Sequence, residues 1–184
     1  MSEKPILFSG PMIRAILEGR KTMTRRVIVP QPTAFRFGRP VKGDGESVRE
    51  LKCPYGQPGD RLWVRETWSR DPSGDSVFYR AGSPGYAGSW ITGTPVDAWR
   101  PSIFMPRALS RILLEMTAVR VERVQDISEE DAKAEGSPWE DCWMSYRQSF
   151  EALWNSINAS RGYGWDANPW VRAIEFKVLA ANSK

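Results

Sequence analysis

Ten of the chain's 14 prolines and ten of its 15 glycines fall between residues 30 and 106. Proline removes a backbone donor and fixes φ, and glycine raises the entropy cost of ordering, so regular structure there must be short and interrupted. The continuous elements have to come from the two ends. Inside the interrupted stretch one good strand stands out, "DRLWVRETW" (60–68), entered through the turn "GQPGD", and "SVFYRA" (76–81) is expected to pair with it. The segments 31–57 and 82–106 read as long decorated loops, which in a compact domain are usually functional or disordered.

The ends carry clear periodicity. "SGPMIRAILEG" reads as a short helix: Ser9 or Gly10 can cap it, Pro11 suits its first turn, and Ile13, Ile16 and Leu17 share one face. Gly19 fits the left-handed position past its end, and "TMTRRVIV" then reads as extended. Later, "SRILLEMTAVRVERVQDI" (110–127) is a long strand or a pair of strands. "SEEDAKAEG" (128–136) is a short helix with Ser128 as cap, Asp131 reaching back and Gly136 as stop. Tyr146, Phe150, Leu153, Trp154 and Ile157 recur at helical spacing over about 143–158. "WVRAIEFKVL" (170–179) alternates, with Trp170, Arg172, Ile174, Phe176 and Val178 on one side and Glu175 and Lys177 on the other. A helix, several strands, two helices and a strand, without a βαβ rhythm, predict an α+β fold: a small mixed β-barrel with flanking helices.

The 184 residues fit one domain, and neither a membrane span nor a signal peptide is expected from the N-terminus or from any apolar run. Cys53 and Cys142 could pair, but their spacing suggests no disulfide framework or metal site, and a reducing cytoplasm is the simplest setting. The sequence has no histidine, which excludes histidine acid–base catalysis and histidine metal ligation; no cofactor or metal is expected. Charge is unevenly placed. Lys4 to Gly43 holds nine basic residues against one acid, Glu18, a net +8, whereas the remainder has 17 basic against 21 acidic, a net −4. Such a concentration attracts polyanions, the phosphates of nucleic acid or nucleotides above all, or else serves as a solvated face.

The densest part is "GRKTMTRR" (19–26), where the first helix ends. Three readings compete there: a solvated turn, a phosphate clamp and a catalytic corner. Lys21 and Thr24 would face opposite ways on a regular strand, so a shared site requires a bend, which the corner after Gly19 permits. Neighbouring cations disfavour the ammonium form of Lys21. A neutral lysine can take the proton of a threonine hydroxyl and make it a nucleophile without histidine. A carboxylate is still needed, and chemistry alone does not select it from 22 acids.

"KPILFSGPMIRAILEGRKTMTRR", "CPYGQPGDRLWVRETW", "DISEEDAKAEG" and "WDANPWVRAIEF" together resemble the ASCH domain family, and especially a Pro/Gly-elaborated branch common in phages and prophages. The resemblance implies a PUA-like barrel over residues 1–184, with loop insertions at about 30–58 and 69–108, and binding of RNA or a modified nucleoside or nucleotide. One compact bacterial class in the family hydrolyses the acetamide of N4-acetylcytidine, with a lysine and threonine in a G-R-K-T-x-T-x-R segment and a glutamate ending a later helix. Carried over, this implies Lys21 as base, Thr24 as nucleophile and Glu135 as carboxylate. The compact class lacks the insertions, and "MPRA" (105–108) stands where the branch often has "MPRW".

Two functions are therefore expected. One is a nucleotide- or RNA-binding protein, with Arg20, Arg25, Arg26, Arg36 and Arg39 on phosphate and Trp63, Trp90 and Trp99 stacking bases. The other is an amidohydrolase acting through Lys21, Thr24 and Glu135. Large aromatic side chains that pin loops are the alternative account of the tryptophans.

Overall fold

The structure, a computed structural model, describes residues 2–43, 47–70, 76–82, 90–91, 94–95, 98–136 and 144–181, with 90–91 and 94–95 described for their backbone alone. In chain order the elements are β1 (Glu3–Leu7), α1 (Gly10–Leu17), β2 (Met23–Val27), β3 (Ala34–Arg36), β4 (Arg39–Lys42), β5 (Arg49–Glu50), β6 (Arg61–Arg65), β7 (Trp68–Arg70), β8 (Val77–Tyr79), β9 (Trp90–Ile91), β10 (Thr94–Pro95), β11 (Ile112–Arg123), α2 (Glu129–Ala134), α3 (Tyr146–Asn158) and β12 (Trp170–Ala181). The α+β class is as the sequence predicts.

The main sheet has the order β1-β6-β11-β12-β2. β1 runs parallel to β6, and the other pairings are antiparallel. No backbone ladder among the described residues closes this sheet into the expected barrel. Its edge strands β1 and β2 are joined instead by a side chain: Arg26 on β2 donates from Nη2 to the Leu7 carbonyl at 2.5 Å and stacks 5.1 Å from the Phe8 ring. A β-branched, apolar sequence can curl a sheet this far, but ring closure needs matched stagger at both edges.

One core lies between α1 and this sheet. Ile13 and Ile16 pack against Ile6, Leu62, Val64, Leu114 and Ile174. Fully burying each isoleucine contributes about 1.5–3 kcal/mol, which fixes the helix to the sheet more firmly than its eight residues would hold themselves. A second core joins α2, α3 and the start of β12 through Ala132, Phe150, Trp154, Trp165 and Val171. Ser145 and Gln148 form a reciprocal cap that starts α3.

Several local expectations change. The segment 31–57 is not all loop, because β3, β4 and β5 form a separate antiparallel sheet. "DRLWVRETW" divides at Glu66 and Thr67: β6 joins the main sheet, and it is β7 that pairs with β8, Trp68 opposite Tyr79. Glu66 is buried there against Arg111, with both carboxylate oxygens accepting at 2.9 Å. The first half of β12 is buried on both faces, Val171 to Ile174, and does not alternate. No helix among the described residues is long and apolar enough to cross a membrane.

Candidate active site

Two helix ends build the site. After α1 the chain turns through Gly19 at φ +72°, and the Ala15 carbonyl accepts from the Arg20 and Lys21 amides at 2.8 and 3.0 Å. After α2 it turns through Gly136 at φ +77°. The two ends meet: Lys21 and Glu135 form an isolated antiparallel bridge, and Thr22 donates its amide to the Ala134 carbonyl at 2.9 Å. Gly136 is required by space as well as by φ, since a Cβ there would lie 2.7 Å from the Lys21 Cβ and 2.9 Å from the Ala15 Cβ.

This junction buries Lys21, which is 1% exposed. Its Nζ donates at 2.7 Å to Glu135 Oε2 and at 2.7 Å to the Glu135 carbonyl. The ammonium form has a third N–H beyond these two bonds, and loss of that proton leaves a lone pair in its place. Burial pushes the Lys21 ammonium below its ordinary value of 10.5; Glu135 opposes the shift, and Arg26 and Arg25 add to it. The chain bends after Gly19, and the Lys21 side chain turns inward to Glu135. Thr24 is buried on β2 opposite Ile174, and with Glu135 it lines a pocket of about 250 Å³. Half-buried Tyr55 and Tyr163, Asn158 and the α3 residues Phe150 and Trp154 form other parts of its wall. That volume lies just below the ~300–1,000 Å³ typical of small-molecule sites.

The predicted phosphate ligands separate. Arg25 is buried and lines the pocket, but its guanidinium is occupied by carboxylates: Nη2 donates to Glu122 at 2.6 Å and Asp131 at 2.7 Å, and Nη1 lies 3.4 Å from Glu135 Oε1. A cation neutralised in this way has little attraction left for phosphate, so the phosphate role expected for Arg25 is corrected to an ion-pair hub. Asp131 explains why. Its amide donates to the Ser128 cap at 3.1 Å, but its carboxylate reaches Arg25 and Arg120 instead of the helix start. Arg20 is exposed and chelated by Glu18, with Nη1 on the Gly136 carbonyl at 3.2 Å. Arg36 and Arg39 lie on the separate sheet, away from the pocket, and Arg39 pairs with Glu50 at 3.3 Å. Of the five, Arg26 alone faces the pocket with no carboxylate partner among the described residues.

The stacking candidates fare similarly. Trp63 is 7% exposed because β6 runs between β1 and β11 with both faces covered; the Arg65 guanidinium lies 4.6 Å from its ring. It is a core residue, not a platform. Trp99 is half-buried and outside the pocket wall, and the Trp90 side chain lies outside the described residues. The sequence reading missed Glu122 and Asp131, which hold Arg25, and the tyrosines of the pocket. Only the spacing of Tyr146, Phe150 and Trp154 hinted that α3 turns an aromatic face inward.

No family model matches the chain, and no curated protein matches it. Two solved structures are similar to it. One is an ASCH domain from Lactobacillus crispatus, with a TM-score of 0.47 and 13% identity over 97% of this chain and 80% of that one. The other is a protein from Enterococcus faecalis assigned to the DUF984 family, with a TM-score of 0.46 and 12% identity over 100% of this chain and 84% of that one.

Proposed function

We propose that the pocket binds a cytosine-type base carrying a small acyl amide and that Thr24, Lys21 and Glu135 hydrolyse that amide. The observation that carries this reading is the buried Lys21–Glu135 pair at 2.7 Å, whose Glu135 lines the same pocket as Thr24. A surface phosphate clamp has no use for a lysine 1% exposed, and a solvated turn does not bury one. The likeness of Gly19–Arg26 and of "ISEEDAKAEG" to the N4-acetylcytidine amidohydrolases supports the same assignment.

In this scheme the Thr24 Oγ attacks the amide carbonyl carbon, and its proton passes to the Lys21 lone pair. Glu135 holds the amine in register and balances the ammonium that forms. Collapse breaks the C–N bond, Lys21 returns the proton to the exocyclic nitrogen, and cytidine leaves. Water then cleaves the acyl-Thr24 ester and releases acetate.

The test is incubation of the protein with N4-acetylcytidine, with cytidine and acetate measured. Release of both, lost in Thr24→Val, is the expected result; no release at any pH, with the nucleoside still bound, refutes catalysis and leaves nucleotide or RNA binding. That second reading has its own support in Arg26, whose buried Nε lacks a hydrogen-bond partner and which no carboxylate neutralises among the described residues.

A further inference from the structure

We infer that a second cleft, adjoining the Thr24 pocket and lined by Arg49, Lys52 and Arg172, holds the phosphate of the ligand, so that a nucleotide is held more tightly than the free nucleoside. The inference rests on the base entering the Thr24 pocket, as proposed above. The cleft has a volume of about 480 Å³ and shares Arg26, Val27, Val29 and Tyr55 with the pocket, so the two adjoin across a common wall.

Three features point to an anion. Arg172 is 5% exposed, yet its guanidinium meets a neutral acceptor, the Leu51 carbonyl, and no carboxylate among the described residues. A buried charge without a counter-charge is costly unless a ligand supplies one. Arg172 also lies directly opposite Arg26 in the β12–β2 ladder. Like charges facing each other across strands destabilise the pair, and a phosphate between them reverses that sign. Finally, Arg49 and Lys52 are exposed and unpaired with any acid among the described residues, and they come from the segment to which Arg172 is bonded. Among the described residues the one acid in the cleft wall, Glu50, is held by Arg39 at 3.3 Å.

Four cations converge there. Two come from the main sheet, Arg26 and Arg172, and two from the Pro/Gly-rich stretch, which has therefore added a phosphate subsite to the pocket. Arg49, Lys52 and Arg172 replace Arg20, Arg25, Arg36 and Arg39 as the phosphate-facing residues. A phosphate here can belong to a mononucleotide or to an RNA strand.

The experiment compares cytidine, N4-acetylcytidine, cytidine 5′-monophosphate and a short single-stranded oligocytidylate by calorimetry at low salt, with inorganic pyrophosphate as an independent anion probe. The expected result is a gain of at least about tenfold for the monophosphate over cytidine, falling as salt rises. Lys52→Ala, Arg49→Ala and Arg172→Met should each bring the ratio towards one. Lys52 and Arg49 are exposed, so their variants keep the test open if Arg172→Met does not fold. Equal affinity for cytidine and its monophosphate overturns the phosphate subsite while leaving the base pocket standing. Pyrophosphate binding that these variants abolish, without any binding of cytidine or its acetylated form, supports the anion site and overturns the base pocket. A monophosphate gain that all three variants retain assigns the phosphate elsewhere and overturns the inference. An oligocytidylate that binds no tighter than the monophosphate identifies the ligand as a mononucleotide; a further gain with a steeper salt slope identifies RNA.

Discussion

Replacing Glu135 with Gln removes the carboxylate that holds the buried Lys21 ammonium and keeps the side chain's size. Glu135 is the sole carboxylate within ion-pair distance of Lys21 among the described residues, at 2.7 Å. Breaking a buried pair from this side leaves a charge with neither water nor counter-charge, which costs about 3–5 kcal/mol. The reverse change is milder. In Lys21→Met, Glu135 still has Arg25 at 3.4 Å, so the loss is confined to about 1.5–3 kcal/mol for the charged hydrogen bonds. The asymmetry has a pH signature. Lys21 titrates below 10.5 in the folded protein, so between its folded value and 10.5 the unfolded chain binds more protons and stability rises with pH. Without Glu135 the folded value falls further, and the window opens at lower pH. Urea unfolding of the wild type and both variants at about pH 7 and about pH 9.5 reads all of this. The account expects Glu135→Gln to be the less stable variant at neutral pH, with its deficit shrinking in alkali. A Glu135→Gln deficit no larger than that of Lys21→Met, or one that grows with pH, would refute the reasoning.

Three further outcomes follow from the same geometry. Gly136→Ala should lose more than about 1 kcal/mol and also impair the site, because the new methyl meets Lys21 and Ala15 below 3.0 Å at positive φ; thermal melts and turnover should fall together. Phe150→Ala should cost about 3–5 kcal/mol, since the ring packs 5.8 Å from Trp154 and 6.3 Å from Trp165 in the second core; far-UV melts check it. Turnover of N4-acetylcytidine should rise with pH as Lys21 loses its proton, and it should lack the limb a histidine would give; a rate that falls between neutral and alkaline pH, with the fold intact, would count against Lys21 as base.

Glycines made the two ends of the site legible. Gly19 and Gly136 each follow a short amphipathic run, and each adopts the left-handed turn that such a position requires. Local chemistry could therefore locate the corner at Lys21, whereas the carboxylate it meets, 114 residues on, came from a family likeness. Ion pairs are less legible. Arg25 finds Glu122 and Asp131 at separations of 97 and 106 residues, and nothing local to "TRR" distinguishes a cation that will be neutralised from one that will face a ligand. Trp63 misled for a related reason: Leu62, Trp63 and Val64 are all buried, so alternation gives no sign of which face is covered. β3 was hidden because Ala34 to Arg36 are all exposed, and a three-residue strand with no buried position leaves no apolar period. Three of the second cleft's four cations, Arg49, Lys52 and Arg172, lie outside the basic N-terminal stretch, so counting charge along the chain passed over them.

The most direct test of the central claim is a rapid-quench experiment with N4-acetylcytidine, followed by mass spectrometry of the peptide that carries Thr24. A transient acetyl group should appear on Thr24 as cytidine is released. It should be absent in Thr24→Val and slow to form when Lys21 is changed to Met. Release of cytidine and acetate at the wild-type rate by Thr24→Val, with no acetyl group on the wild-type peptide at any time, would contradict it.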